Sequence, residues 1–183
     1  MIRHTRVAVE TGICYGQTDV PLAASFEAEF AEVQTKLPQL HKMVGYSSPL
    51  QRCRALAEHL SVDPVQIDIR LMEMHFGIWE QHRWDDIDDV QLKEWMADFV
   101  YQPCSGGESF QDLFDRVVAF WYDFESQNRA DTLIVTHGGV IRALLAYLLA
   151  IPLENVMRLV IDFGSVTKVC VGEYGPVIKF VNR

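Results

Sequence analysis

The chain has 183 residues, 49% of them hydrophobic and 22% charged, with 25 Asp and Glu against 16 Lys and Arg and a formal net charge of -9. That length suits one domain with a sizeable core, and the acidic balance excludes a nucleic-acid binder, whose footprint is a basic patch or stripe. Cys14, Cys53, Cys104 and Cys170 form no Cys-x-x-Cys pair, which excludes a zinc ribbon or a disulfide framework and points to reduced thiols in the cytoplasm.

The chain opens MIRHTRVAVE. Read as the end of a first strand, Met1–Arg3 would deliver Arg3 and His4 to a strand terminus. Taken alone, a histidine so near the start is more often solvated surface, and the opening residues carry no charged-then-apolar leader. Phe26, Phe30, Val33 and Leu37 recur at helical spacing behind Ser25 as N-cap. MVGYS from Met43 predicts a strand, and Ser48-Pro49 predicts a helix start with Leu50, Cys53, Ala57 and Leu60 on one apolar face. Arg52 and Arg54 lie in the first turns of that helix. One of them can fork onto phosphate oxygens, and the other belongs to a solvated face.

VQIDI near residue 65 predicts a further strand, and RLMEMHFGIWE follows. Glu73 stands there among apolar neighbours ahead of Gly77, a setting suited to a general acid, and Glu80 competes for the role. His75 and His82 lack a partner ligand and read as structural or cleft-lining. Residues 80–106 are polar and Trp-rich, predicting short helices and loops that form a cap-like insertion over the strand ends. Asp85, Asp86, Asp88 and Asp89 lack the Gly-turn spacing of a calcium loop, so they read as a solvated helix start. Ser109 with Asp112 opens a helix carrying Phe110, Phe114, Val117, Trp121 and Phe124.

TLIVT from Thr132, followed by HGG and a long apolar helix, predicts a buried parallel strand feeding a crossover. His137 sits where that strand ends, and Gly138-Gly139 allow a tight turn into the helix. The free N–H groups at the helix start favour an anion there, at the carboxyl edge where open sheets bind ligands. The apolar segment GGVIRALLAYLLAIPL is interrupted by Arg142 and ends at Pro152, too short to span a bilayer. SVTKVCV and PVIKFV around GEYG predict an antiparallel hairpin at the sheet edge. Helices and strands in alternation predict an α/β layered fold, with 1–183 as a single domain.

Several phosphate and hydrolase plans fail on inspection. There is no Gly-x-x-x-x-Gly-Lys-Ser/Thr loop, no Gly-x-Ser-x-Gly elbow, and no cysteine followed six positions later by arginine. The segments RHT, SPLQRC, MEMHFG and THGG, in this order, instead resemble the histidine phosphatase superfamily, also called phosphoglycerate mutase-like. Its pattern is Arg-His-Gly near the N-terminus, an arginine in a Ser-x-Leu-x-Arg-Ala helix start, a Glu before an aromatic-Gly, and a late His-Gly. The likeness covers nearly the whole chain. GICYGQTDVPL, MEMHFGIWE, RWDDI and GGESFQD are most similar to the α-ribazole phosphatase branch of cobalamin synthesis.

The resemblance implies a three-layer αβα sandwich with a mostly parallel central sheet and an antiparallel edge strand. It implies His4 as a nucleophile that becomes phosphohistidine, with Arg3, Arg52 and His137 on the phosphoryl oxygens. Glu73 would protonate the leaving alcohol and then activate water, which favours Arg52 over Arg54 and Glu73 over Glu80. Thr5, Gln17, Thr18, Glu108 and Gly138 join Arg3 and Arg52 as expected substrate-binding residues. An imidazole nucleophile must be neutral at the attacking nitrogen, so its other nitrogen is expected to donate to a backbone carbonyl. The implied partner is a small-molecule phosphomonoester, α-ribazole 5'-phosphate or adenosylcobalamin 5'-phosphate, handled without metal or cofactor by a cytoplasmic monomer or homodimer. A broad-specificity phosphatase and a non-catalytic phosphate-binding module are the alternatives.

The chain departs from the family pattern near its N-terminus. Thr5 replaces the usual Gly, and Glu10 stands where the family often has a phosphate-binding Asn. Glu10 is therefore expected to point away, with Gln17 or Thr18 supplying a donor instead. Only two residues precede Arg3, which implies a truncated first strand or an upstream start.

Overall fold

The computed structural model describes residues 1–37, 43–127, 131–173 and 175–183. Four strands, β1 (Ile2–Arg3), β2 (Val44–Ser47), β3 (Val65–Ile67) and β4 (Thr132–Thr136), form a parallel sheet in the order β1-β4-β2-β3. Alternation along β4 divides the core. Ile134 joins the cluster built from helices α4 (Phe110–Ser126) and α5 (Gly138–Leu149). Leu133 and Val135 face the opposite way, into the cluster of α1 (Phe26–Thr35) and α2 (Gln51–His59). Side chains on successive residues of a strand point to opposite faces, so a buried run such as TLIVT needs a helical layer on each side. The result is the αβα sandwich.

Local chemistry sets the helix starts. Ser109 and Asp112 form a reciprocal capping box on α4. Asp88 caps a short helix, α3 (Asp89–Ala97), by accepting from the N–H groups of Val90 at 3.1 Å and Gln91 at 3.0 Å, so Asp88 and Asp89 form a helix start while Asp85 and Asp86 lie in the 3-10 turn before it. Ser25 precedes α1, but its hydroxyl donates to Glu29 Oε1 at 2.6 Å and leaves the helix N–H groups to other partners. Leu37 lies beyond α1 and still packs against the core.

The C-terminal hairpin, β5 (Lys168–Gly172) with β6 (Gly175–Phe180), is antiparallel and stands as its own two-stranded sheet. Tyr174 of its turn lies outside the described residues. The antiparallel neighbour of β1 is the segment leading into β5, tied by Arg3 N–H to Ser165 C=O at 3.1 Å and an isolated Ile2–Val166 bridge. Among the described residues, no helix is long and apolar enough to cross a membrane.

Candidate active site

Strands β1 and β4 pair with Arg3 opposite Thr136, and His4 N–H continues the ladder to Thr136 C=O at 3.0 Å. The residue after each strand is therefore brought to the same edge. His4 and His137 meet there edge to face, with ring centroids 5.1 Å apart, and both are almost wholly buried.

His4 Nδ1 lies 2.7 Å from the carbonyl oxygen of Thr5. A carbonyl can only accept, so Nδ1 carries the proton and Nε2 keeps its lone pair. Burial, then the charges of Arg52 and Arg3, hold the imidazole pKa well below 6.5 against the pull of the Thr5 carbonyl. His4 is thus a neutral base set among cations. Arg3 lies over the Phe163 ring at 3.7 Å and donates through Nη1 to Ile161 C=O at 2.6 Å. Its Nε and the hydroxyl of Thr5 are buried without a hydrogen-bond partner among the described residues. Buried donors are almost always satisfied, so two such groups flanking His4 suit a ligand with oxygen acceptors.

Arg52, fully buried on α2, donates through Nη2 to Gly16 C=O at 2.6 Å and through Nη1 to Thr18 C=O at 2.9 Å. Its Nε faces His137 Nδ1 at 3.4 Å, which makes that nitrogen an acceptor and directs His137 Nε2–H to Ser48 Oγ at 2.8 Å. Burial, then His4 and Arg52, lower the His137 pKa well below 6.5. Both ring nitrogens of His137 therefore have partners within the protein, where a contact with phosphoryl oxygens was expected. Arg54, by contrast, is exposed and pairs with Glu58 at 3.6 Å.

His137 is the N-cap residue of α5. Glu73 reaches the first turn of that helix, where Oε2 accepts Gly139 N–H at 3.2 Å and Oε1 accepts Met74 N–H at 3.0 Å. Gly138 stands beside Arg3, because a Cβ there would lie 3.6 Å from the Arg3 Nε and Cζ atoms. The segment carrying Glu73 is clamped from α4 by Arg116. That guanidinium donates to the carbonyls of Arg70 and Met72, each at 2.7 Å, and of Glu73 at 2.9 Å.

Three expected substrate-binding residues are engaged elsewhere. Glu108 pairs with Arg116 at 2.8 and 3.0 Å and accepts His75 N–H at 2.9 Å, so its carboxylate is turned to Arg116. The Thr18 hydroxyl donates to Glu80 Oε2, and Gln17 Nε2 donates to the Glu73 carbonyl at 3.0 Å. Glu80 also accepts the N–H groups of Gln17, Thr18 and Phe76, which makes it a partner of backbone amides. Glu10 points outward and pairs with Arg83 at 3.5 Å. His75 is half-exposed and His82 exposed.

Beside Glu73 and Gly139 opens an apolar cavity of about 630 Å³, walled by Phe76, Trp84, Trp95 and Met157 with Arg142 at its edge. Trp84 and Trp95 lie nearly parallel, 25° apart with centroids at 6.3 Å. Sequence reasoning missed Arg116 and the role of Ser48. The available signals were an arginine three residues after Leu113 beside the buried stripe of α4, and a second serine ahead of Pro49.

Comparison with known proteins adds family and fold. The family model for the histidine phosphatase superfamily (branch 1) matches residues 1–183. The adenosylcobalamin/alpha-ribazole phosphatase of Escherichia coli is 28% identical over 191 residues, covering 100% of this chain and 94% of that protein. A glucosyl-3-phosphoglycerate phosphatase of Mycolicibacterium vanbaalenii is 29% identical over 170 residues, 85% of this chain and 75% of its own. The crystal structure of the alpha-ribazole phosphatase from Shigella flexneri superposes with a TM-score of 0.90 at 27% identity, covering 100% of this chain and 94% of that one.

Proposed function

The chain belongs to the histidine phosphatase superfamily, and from that premise we propose that it is a phosphomonoesterase working through a phosphohistidine on His4. The observation that carries the reading is the bond from His4 Nδ1–H to Thr5 C=O at 2.7 Å, which leaves Nε2 of a neutral imidazole as nucleophile between two arginines. In the first step the Nε2 lone pair forms a bond to phosphorus while the P–O bond to the alcohol breaks. Glu73, in its acid form, gives its proton to the departing oxygen. In the second step the Glu73 carboxylate takes a proton from water, the water oxygen attacks phosphorus, and the P–N bond breaks. Orthophosphate leaves, with His4 neutral and Glu73 protonated again.

Phosphoryl transfer depends on positioning and focused positive charge. In this reading Arg3, Arg52 and the start of α5 supply that charge, so no metal is called for. His137 aligns Arg52 through its Nδ1 and packs edge-on against the nucleophile.

The favoured substrate is α-ribazole 5'-phosphate, or adenosylcobalamin 5'-phosphate. The likeness to an alpha-ribazole phosphatase supports this, as does a cavity beside Glu73 walled by aromatic rings against which a flat heterocycle can pack. Residues 80–106 act as the cap, supplying Trp84 and Trp95 to that cavity. Hydrolysis of p-nitrophenyl phosphate should survive a chelator and vanish in His4→Ala, and an acid-quenched reaction should retain acid-labile, base-stable phosphate on the wild-type protein. Full turnover in His4→Ala refutes the mechanism. Among α-ribazole 5'-phosphate, phosphoserine and 3-phosphoglycerate, the first should have the highest kcat/KM, and Trp95→Ala should lower only that value. A flat profile reduces the reading to a broad-specificity phosphatase.

A further inference from the structure

We propose that Glu80 is a positioning residue for Arg52, acting through the peptide unit between Gly16 and Gln17 and through Thr18; the inference rests on the reading that Arg52 holds the phosphoryl group. Glu80 is buried, and a carboxylate withdrawn from water needs hydrogen-bond donors to stay charged. Its Oε1 accepts the N–H of Gln17 at 2.9 Å and of Phe76 at 3.0 Å. Its Oε2 accepts the N–H of Thr18 at 2.6 Å and the Thr18 hydroxyl. The His75 ring stands farther off, with Nε2 at 3.9 Å from Oε1. Arg52 makes no direct contact with Glu80 among these bonds.

The connection runs through the backbone. The C=O that accepts from Arg52 Nη2 at 2.6 Å belongs to Gly16, and the N–H that donates to Glu80 at 2.9 Å belongs to Gln17. These are the two ends of one planar trans peptide, and they point in opposite directions. That peptide stands between the carboxylate and the guanidinium, and each of its hydrogen bonds polarises the other. Thr18 adds a second tie of a different kind, giving its N–H to Glu80 and the C=O of its following peptide to Arg52 Nη1 at 2.9 Å.

The indirect arrangement has a chemical advantage. A direct carboxylate–guanidinium pair would occupy the fork that a phosphate needs and cancel its charge. The relayed contact fixes the direction of the guanidinium and leaves its charge for the phosphoryl oxygens. Gly16 is shaped for this approach: its φ is +28°, and a Cβ there would fall 2.3 Å from Glu80 Oε1 and 2.7 Å from Met74 C=O.

The test is a double-mutant cycle on p-nitrophenyl phosphate, with orthovanadate inhibition as a second readout. Glu80→Gln puts one acceptor and one NH₂ group against N–H donors, and kcat/KM should fall about 30-fold while the vanadate inhibition constant rises by a similar factor. In the Arg52→Ala background the same change should alter kcat/KM by less than about twofold, because the group it positions is gone. Equal losses from Glu80→Gln in both backgrounds, with Arg52→Ala itself costly, overturn the brace and leave the phosphatase reading standing. Arg52→Ala without effect overturns both. If Glu80→Gln fails to fold by its melting curve, Thr18→Val decides. It removes one donor from Glu80, and the same coupling to Arg52 at about threefold supports the brace, while no coupling overturns it.

Discussion

A methyl group added at Gly139 would stand 2.2 Å from Glu73 Oε1, 3.2 Å from Glu73 Cδ and 3.1 Å from Leu113 Cδ2. The first of these atoms is the free end of a side chain, so Gly139→Ala turns the Glu73 carboxylate away from α5 and leaves the backbone in place. The carboxylate then loses the Gly139 N–H bond of 3.2 Å and its aim at the leaving oxygen. Misplacing a general acid costs about 100-fold in rate, equivalent to about 2.7 kcal/mol on the barrier. Stability should move little, because alanine gains about 1 kcal/mol of helix propensity over glycine, set against the tight contact with Leu113. A melting curve should therefore shift by no more than about 4 °C. Single-turnover rates should fall further for an alkyl phosphate, which needs protonation of its leaving group, than for p-nitrophenyl phosphate, which does not. Alkyl phosphate turnover within about threefold of wild type would refute Glu73 as the acid.

Two more expectations concern stability. His4 and His137 are buried with pKa values lowered well below 6.5, so the unfolded chain binds protons that the folded one refuses. Their contribution is complete above pH 6.5 and is lost as pH falls below it, at about 1.4 kcal/mol per pH unit for each histidine. Urea midpoints at pH 7.5, 6 and 5 should show this slope, and His4→Asn should remove about half of it; a flat profile would contradict the burial argument. Arg116→Met should cost about 2 kcal/mol in urea unfolding, because Glu108 loses its cation, the Arg70 and Met72 carbonyls lose this donor, and the Glu73 carbonyl keeps Gln17. The same variant should lower kcat with little change in KM, since the Glu73 segment loosens while Arg3 and Arg52 remain. An unchanged kcat would show that Arg116 serves the fold alone.

What was legible in the chain, and what was not, follows from range. The capping box at Ser109 and the helix start at Asp88 are written within four residues, so spacing reveals them. The meeting of His4 and His137 was also accessible, because each follows a strand and parallel strands deliver their C-terminal ends to one edge. The placements of Glu80, Glu108 and Arg116 were not. Each carboxylate or guanidinium is matched to backbone groups far away in the chain, and nothing in a residue's identity says which amides will converge on it. Glu108, expected on the substrate, illustrates the point: its carboxylate pairs with Arg116, eight residues on. The hairpin was visible as an antiparallel pair, whereas its separation from the main sheet depends on how residues 165–167 pass beside β1.

Helix α3 contains no buried residue, yet Leu92, Trp95 and Met96 on it wall the cavity beside Glu73. Leu92 and Trp95 pack half-buried against the core, whereas substitutions at the exposed Val90 and Met96 cost little stability, typically within about 0.5 kcal/mol. His4, Arg52 and His137 are packed with almost no solvent contact and tolerate no such freedom. On the proposed function, selectivity and chemistry therefore lie in stretches of chain with different mutational latitude. In that reading new leaving groups are reached by changing the exposed positions of one surface helix while the residues around His4 stay intact, and a laboratory library at Met96, exposed and on the cavity wall, follows the same route.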